Sequence, residues 1–173
     1  MSLAFAALLW IHIIGAVGWL GAGMVFAMLI GPTLPSLTPA SRGDLIVKLL
    51  PKYIMWVQIF TLITPIFGLV LVLDISHGNM SVFSLSPALD NHFGFYITLG
   101  ALLSLVAWGL VFGFVTPTAR RIVWFTKEVM KNPTSPPPAG LLKANARLRV
   151  LSTIGLIVLF LIVACMVYAA TSP

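Results

Sequence analysis

The stretch LLWIHIIGAVGWLGAGMVF, residues 8–26, contains one histidine among residues that are otherwise apolar or glycine. An apolar run of this length is typical of a helix that crosses a membrane, which takes about 20 residues. An imidazole is costly to place in hydrocarbon, and ionisable residues inside membranes usually have a function. His12 is therefore the first candidate for a functional residue in this chain.

The chain contains four apolar runs of membrane-spanning length. Of its 173 residues, 60% are hydrophobic and only 8% are charged, too few to give a soluble domain of this size a polar surface. The runs are continuous rather than alternating, which predicts helices and not a barrel. We predict an all-α integral membrane protein, a single-domain four-transmembrane-helix bundle. The predicted spans cover about residues 3–30, 53–73, 93–116 and 150–170, and Gly31-Pro32 and Pro117 are expected to end the first and third.

Basic residues occur only in or beside the first and third connections between the predicted spans. The chain has ten Lys and Arg against four Asp and Glu, a net charge of +6. By the positive-inside rule, these two connections are cytoplasmic and both termini lie outside the cell (plasma or inner) membrane. The positive charge then faces anionic lipid headgroups, and we expect no nucleic-acid partner. The residues after Pro117 are expected to form an interfacial amphipathic helix between spans three and four.

On helical spacing, His12 shares one face of the first span with small and aromatic residues. The small residues leave a nearly bare strip, and aromatic rings flank it. A porphyrin needs such a surface together with a nitrogen donor, and histidine is a common axial ligand of haem iron. The alternative is a histidine that hydrogen-bonds across a close helix contact. The predicted haem b site comprises His12, Gly15, Ala16, Trp19, Gly23, Phe26 and, as one option for the second axial ligand, His92.

Four motifs in the first half of the chain resemble a known family. They are WIHIIGAVGWLGAGMVF (residues 10–26), GPTLPSL (31–37), LLPKYI (49–54) and TPIFGLVLVL (64–73). Together they resemble the CopD-like membrane proteins, a group that includes copper-resistance D proteins and HemJ-type protoporphyrinogen oxidases. The resemblance implies that His12 binds haem b or handles copper. HemJ-type oxidases also use a lysine further along the chain, and because the predicted spans contain none, the resemblance does not extend to that reaction.

The second axial ligand depends on the depth of His12 in the membrane. If His12 lies near the outer surface, His92 at the start of the third span can reach the same iron. If it lies deeper, roughly 13 Å down at 1.5 Å per residue, the candidates are Thr64, Cys165 and Met166, a second chain, or no residue at all.

The connection between the second and third spans offers a separate metal site. It holds two of the three histidines and two of the four acids, one of each at either end, with Met80 between them. Imidazole and carboxylate suit Zn²⁺ or Cu²⁺, and the thioether favours Cu⁺. Because solvated loops also contain short polar residues, an ordinary loop is the alternative. The predicted metal ligands are His12, Asp74, His77, Asp90 and His92.

These observations predict a haem-b-binding membrane redox protein that passes electrons to a quinone or a redox partner protein. A copper-binding or copper-uptake protein is the first alternative. A homo-oligomer, or a non-catalytic subunit of a larger membrane complex, is another, and Gly18 and Gly21 on a different side of the first span would support such packing. The chain shows no acid–base pair or nucleophile, so whether it is an enzyme stays open.

Overall fold

The computed structural model describes residues 2–85, 92–132 and 136–171, and nearly all of them are helical. A short 3-10 helix, Met80–Val82, lies between the second and third long helices. The prediction of an all-helical fold with four helices long and apolar enough to cross a membrane is confirmed. These helices are α1, Leu3–Ser36; α2, Pro39–Ile75; α3, His92–Lys131; and α4, Ala139–Thr171.

Helices α1 and α3 continue through the prolines that were expected to end them. In α1 a π-helical segment, Val25–Ile30, leads directly into Gly31 and Pro32, and in α3 the segment Val111–Val115 leads into Thr116 and Pro117. Proline lacks a backbone N–H, and its ring clashes with the carbonyl four residues back in an α-helix. A π turn, with its wider i→i+5 bonds, relieves that conflict just before the ring. The helix ends predicted at these prolines were therefore wrong.

The contacts divide the chain into two compact units, and the first of them contains His12. It comprises Met1–Leu20, Phe60–Trp108 and Ile157–Pro173. Helices α2, α3 and α4 each contribute one buried apolar residue to a small core in this unit. These are Val72, Ile97 and Ala169, with Val82, Phe83, Phe93, Tyr96 and Met166 packed against them.

The second unit comprises Gly21–Ile59 and Gly109–Leu156. In it the Gln58 side-chain amide donates a hydrogen bond of 3.0 Å to the Thr116 hydroxyl, which joins α2 to α3. The prediction of a single domain stays a prediction. The apolar core of the second unit is formed by Leu50, Ile54, Ala119, Ile122, Ala144 and Leu148.

Large apolar side chains are exposed along all four long helices. Trp10 on α1, Ile66 on α2, Leu105 on α3 and Val167 on α4 each have more than half of their surface accessible. In water, exposed apolar surface is unfavourable by about 25 cal/mol per Å². In a bilayer the lipid tails provide an apolar solvent, and a helix satisfies its backbone hydrogen bonds internally. This surface therefore suits a helical membrane protein.

The last part of α3, Thr116–Lys131, is amphipathic. Ala119 and Ile122 are buried, whereas Arg120 and Trp124 are exposed. These residues were expected to form a separate amphipathic helix, but in the structure they continue α3 without a break. Their location at a membrane interface stays a prediction.

Candidate functional site

The side chain of His12 is held by a hydrogen bond to the backbone of α2. Its Nδ1 atom lies 2.8 Å from the carbonyl oxygen of Thr64. A carbonyl oxygen can only accept, so Nδ1 carries the proton in the neutral ring. The lone pair is then on Nε2, and that atom is the one available to a metal ion. The side chain is half-buried, on a helix that is otherwise apolar.

Gly68 gives the His12 ring the space that it occupies. A Cβ atom on Gly68 would lie 2.8 Å from Cε1 and 3.0 Å from Nδ1 of His12, closer than real Cβ contacts. Gly68 follows Thr64 by one helical turn, so the carbonyl and the glycine lie on the same side of α2. The two residues together form the seat for the imidazole. Sequence reasoning did not assign a role to Gly68, although it lies in the TPIFG part of a motif used for the family resemblance.

The space beside Gly15 is filled by α2. A Cβ atom on Gly15 would lie 2.8 Å from the Thr64 hydroxyl oxygen and 3.1 Å from Cγ2 of Ile63. Gly15 is itself buried. The expectation that Gly15 leaves open room for a flat macrocycle therefore does not match the structure. Small residues in membrane helices let backbones approach closely, and here the close approach uses that room.

The hydroxyl of Thr64 lies at this same contact. Its oxygen is buried and has no hydrogen-bond partner within the described parts of the chain. A buried polar atom without a partner is uncommon and unfavourable. Thr64 was predicted as one of several candidates for the second axial ligand. In the structure it contacts both Gly15 and the imidazole of His12.

The other four predicted haem-binding residues of α1 are divided between the two units. Ala16 is half-buried and Trp19 is buried, both in the unit that contains His12. Gly23 and Phe26 belong to the second unit. There the Phe26 ring stacks on Tyr53 with 4.8 Å between ring centroids, and the Tyr53 hydroxyl donates to the carbonyl of Ala22 at 3.2 Å. The Phe26 ring thus packs on a ring of the protein itself.

Cys165 and Met166, the other deep candidates for a second ligand, lie at a contact between α4 and α3. A Cβ atom on Gly100 would lie 2.6 Å from Cε of Met166 and 3.5 Å from Cβ of Cys165. Cys165 is buried and not in a disulfide. These distances assign both side chains to helix packing at Gly100.

Gly18 and Gly21 differ in what covers them. A Cβ atom on Gly18 would lie 2.6 Å from the ring of Phe60, so the chain's own α2 covers this glycine. No atom lies within 4 Å of the same position on Gly21 in the described residues. Gly18 is therefore used for packing inside the chain. Packing onto a larger complex stays a prediction.

His77 occupies a special position at the end of α2. Its φ angle is +52°, and it is followed by Gly78 with a φ angle of +78°. The Gly78 N–H donates to the carbonyl of Leu73 at 2.8 Å, and the His77 N–H donates to the carbonyl of Asp74 at 3.2 Å. This is the Schellman arrangement that ends many helices, with His77 where glycine is usual. A histidine in the left-handed region costs about 1–2 kcal/mol.

The predicted outer-loop metal ligands are only partly described. Asp74 and His77 are exposed, and His92 is half-buried as the first residue of α3. Asp90 lies outside the described residues. Within residues 2–85, 92–132 and 136–171, no three His, Cys, Asp or Glu side chains come together as a group that could hold a metal ion. A metal site with Asp90 as a ligand stays a prediction.

The structure thus combines four helices long and apolar enough to cross a membrane with a half-buried imidazole that joins the first two of them by a hydrogen bond. No protein-family model, curated protein or solved structure matches the chain. The resemblance to the CopD-like membrane proteins therefore stays a prediction from the sequence motifs.

Proposed function

We propose that this chain is a membrane redox protein that binds haem b, with Nε2 of His12 as an axial ligand of the iron. The observation that supports the proposal is the hydrogen bond from His12 Nδ1 to the Thr64 carbonyl. Metal-binding histidines almost always donate their other ring N–H to a carbonyl or carboxylate. Such a bond fixes the tautomer and raises the basicity of the ligating nitrogen.

The hydrogen bond of His12 to α2 fits a histidine that joins two close helices, and it leaves the second ring nitrogen available to a ligand. A neutral imidazole in an apolar helix has two polar nitrogens, and the Thr64 carbonyl satisfies one of them. The second nitrogen is Nε2, and its lone pair can accept a hydrogen bond or bind a metal ion. An iron or copper ion bound at Nε2 would satisfy it. Bound haem would supply one-electron chemistry, and the acceptor would be a quinone or a redox partner protein.

Nε2 of His12 and the surface beside Gly15 differ in how well they suit a porphyrin. Nε2 of His12 is a suitable donor. The Gly15 side does not fit, because Thr64 and Ile63 fill the space there. Gly15 and the buried Trp19 therefore do not belong to the surface proposed to contact the porphyrin, whereas the half-buried Ala16 does.

Copper is the second candidate, and the filled space at Gly15 favours it. A single ion needs no flat wall, only donors at bonding distance, and neutral imidazole suits copper. On this alternative the protein binds or transports copper, and His12 is one ligand. The outer-loop residues Asp74, His77, Asp90 and His92 form the further proposed copper or zinc site.

The visible spectrum of the protein purified in mild detergent from haem-replete cells tests these proposals, with total copper, zinc and iron measured on the same sample. We expect a Soret band and the reduced α-band of haem b. His12→Ala and His12→Gln should both lose or shift them, although glutamine can still donate to the Thr64 carbonyl. Circular dichroism should show retained helix in both variants. Colourless, well-folded wild-type protein would contradict the haem proposal, and copper that depends on His12 would support the second candidate.

We further propose that the protein lies in the cell membrane with both termini outside. The basis is the distribution of basic residues, all of which fall in or beside the first and third connections. The exposed apolar surface of the four long helices supports a position in lipid.

A further inference from the structure

A groove of about 580 Å³ lies in the second unit, between the last part of α3 and the first part of α4. Ligand sites in proteins commonly have volumes of about 300–1,000 Å³. Two of its lining residues, Thr118 and Ala144, are buried. The full lining is Thr118, Arg120, Arg121, Trp124, Phe125, Gly140, Lys143, Ala144 and Arg147.

Gly140 allows the two helices to approach closely at this groove. A Cβ atom on Gly140 would lie 2.6 Å from Cζ of Phe125 and 3.1 Å from Cε2 of the same ring. The glycine thus fixes the position of the Phe125 ring at the groove. The groove therefore combines buried residues, Thr118 and Ala144, and the packed ring of Phe125 with exposed side chains at its edge.

The lining of the groove carries four cations and no acid. Arg120, Arg121, Lys143 and Arg147 are all exposed. In the part of the chain that the structure describes, the ion pairs are Lys48 with Asp44 and Lys131 with Glu128, and neither pair uses a groove cation. Four like charges in one groove repel one another, and a bound anion relieves that repulsion.

The aromatic residues of the groove suit a membrane surface. Trp124 is exposed at the groove, and tryptophan is enriched at the boundary between lipid and water. The Arg147 guanidinium carbon lies 5.7 Å from the centre of the Phe114 ring, so a cation–π contact restrains this arginine. The groove therefore combines one restrained arginine with a tryptophan, a residue type common at membrane surfaces.

We propose that this groove binds the phosphate headgroup of an anionic phospholipid. Guanidinium groups bind phosphate through two parallel hydrogen bonds, and such charge-assisted bonds are strong. The groove residues belong to α3 and α4, two of the helices long and apolar enough to cross a membrane, so the acyl chains of the same lipid can pack against exposed apolar side chains. A free phosphate ion has the same charged group but gains nothing from that apolar surface.

The test compares two matched double variants in nanodiscs that contain phosphatidylglycerol and phosphatidylcholine. The groove variant is Arg121→Gln with Lys143→Gln, and the control is Lys127→Gln with Arg149→Gln. Each removes one arginine and one lysine, one from α3 and one from α4, but the control residues do not line the groove. Native mass spectrometry counts the phosphatidylglycerol molecules that stay bound after release from the nanodisc.

The groove variant should lose apparent affinity for phosphatidylglycerol by about tenfold or more, because it removes two of the four cations that would form charge-assisted hydrogen bonds to the phosphate. The control should retain wild-type affinity. Equal losses in both variants would mean diffuse attraction and would overturn the proposal. Equal retention of phosphatidylcholine by the wild type would also overturn it. Displacement of the lipid by millimolar inorganic phosphate would make the groove a site for the free ion and not for a lipid.

Discussion

The backbone carbonyl of Thr64 accepts a hydrogen bond from Nδ1 of His12 at 2.8 Å, while the hydroxyl oxygen of the same threonine lies next to Gly15. One residue of α2 thus contacts α1 through two different oxygens. The carbonyl fixes which ring nitrogen of His12 carries the proton. The hydroxyl contributes to the close approach of the helices. Because the first contact is made by the backbone, a side-chain substitution at Thr64 separates the two effects.

Thr64→Ala should keep the orientation of His12. The substitution removes a buried hydroxyl that has no partner in the described structure and leaves the carbonyl in place. The haem or copper signal that depends on His12 should therefore match that of the wild type. Visible spectra and metal analysis of the purified variant measure this. Loss of the signal with retained helix would show that the hydroxyl, and not only the carbonyl, holds the site.

Gly15→Ala should lower stability by forcing the Thr64 hydroxyl and Ile63 aside. Overpacking of this kind costs about 1–3 kcal/mol. Adding Thr64→Ala should recover part of the loss, because it removes the atom that lies 2.8 Å from the new Cβ. The coupling energy between the two changes should fall in the range of about 0.5–3 kcal/mol. Thermal unfolding in detergent, followed by circular dichroism, measures the four members of the cycle, and strictly additive effects would contradict the described contact.

Gly68→Ala should displace the His12 ring, since the added Cβ would lie 2.8 Å from Cε1. We expect a shifted or weakened metal spectrum together with a stability loss of about 1–3 kcal/mol. The matched control is Gly155→Ala, where the added Cβ meets no described atom within 4 Å. That control should be neutral or slightly more stable, since alanine favours a helix over glycine. Equal spectra for the two variants would rule out Gly68 as part of the seat.

The four long helices could be predicted from the sequence because membrane spans are continuous apolar runs. The helix ends could not be predicted from prolines alone. Pro32 and Pro117 each follow a π-helical segment, and the composition of Val25–Ile30 or Val111–Val115 gives no sign of that backbone. The rule that proline ends a helix holds for a regular α turn, and these helices are not regular at those points.

His77→Gly should stabilise the protein by about 1 kcal/mol, because glycine adopts the left-handed backbone at the end of α2 without the cost that histidine bears. If the outer loop binds copper or zinc, the same variant should also lower the metal content, and His77→Gly with His92→Ala should lower it further. Any haem band should remain if the haem site does not include the outer loop, whereas its loss in the double variant would make His92 the second axial ligand. Greater stability with unchanged metal content would leave the outer loop without a metal role.

A reporter fused to the C-terminus should be active outside the cytoplasm. The ten basic residues all lie in or beside connections one and three, which the positive-inside rule assigns to the cytoplasmic side. A cysteine introduced by Met80→Cys should react with a membrane-impermeant reagent added to intact cells, in a background where Cys165 is replaced by alanine. A cytoplasmic reporter signal, together with a protected Met80→Cys side chain, would reverse the orientation.

The His12 site could be predicted only in outline. A lone histidine in an apolar run indicates a functional residue. The estimate of depth gave Thr64 as a candidate second axial ligand, whereas in the structure its backbone carbonyl is the hydrogen-bond acceptor of His12. Helical spacing gives the residues that share a face with His12 but not the helix that this face contacts. Gly15 was therefore interpreted as open space, whereas α2 occupies that space. Gly68 has no side chain that could indicate a function, so only the position of the His12 imidazole reveals its role.

The π-helical segment of α1 also changes which residues lie on the same face of that helix. An i→i+5 turn holds one residue more than an α turn, so positions after Val25–Ile30 rotate by about 100° relative to a uniform helical wheel. A regular helical wheel that starts at His12 therefore assigns the residues from Gly31 onward to the wrong face of the helix. Removing one residue from Val25–Ile30 would restore the constant phase, whereas removing one between His12 and Trp19 would turn the imidazole away from Thr64. The segment thus acts as a one-residue insertion in α1, and the periodicity of the residues before Val25 does not continue after Ile30.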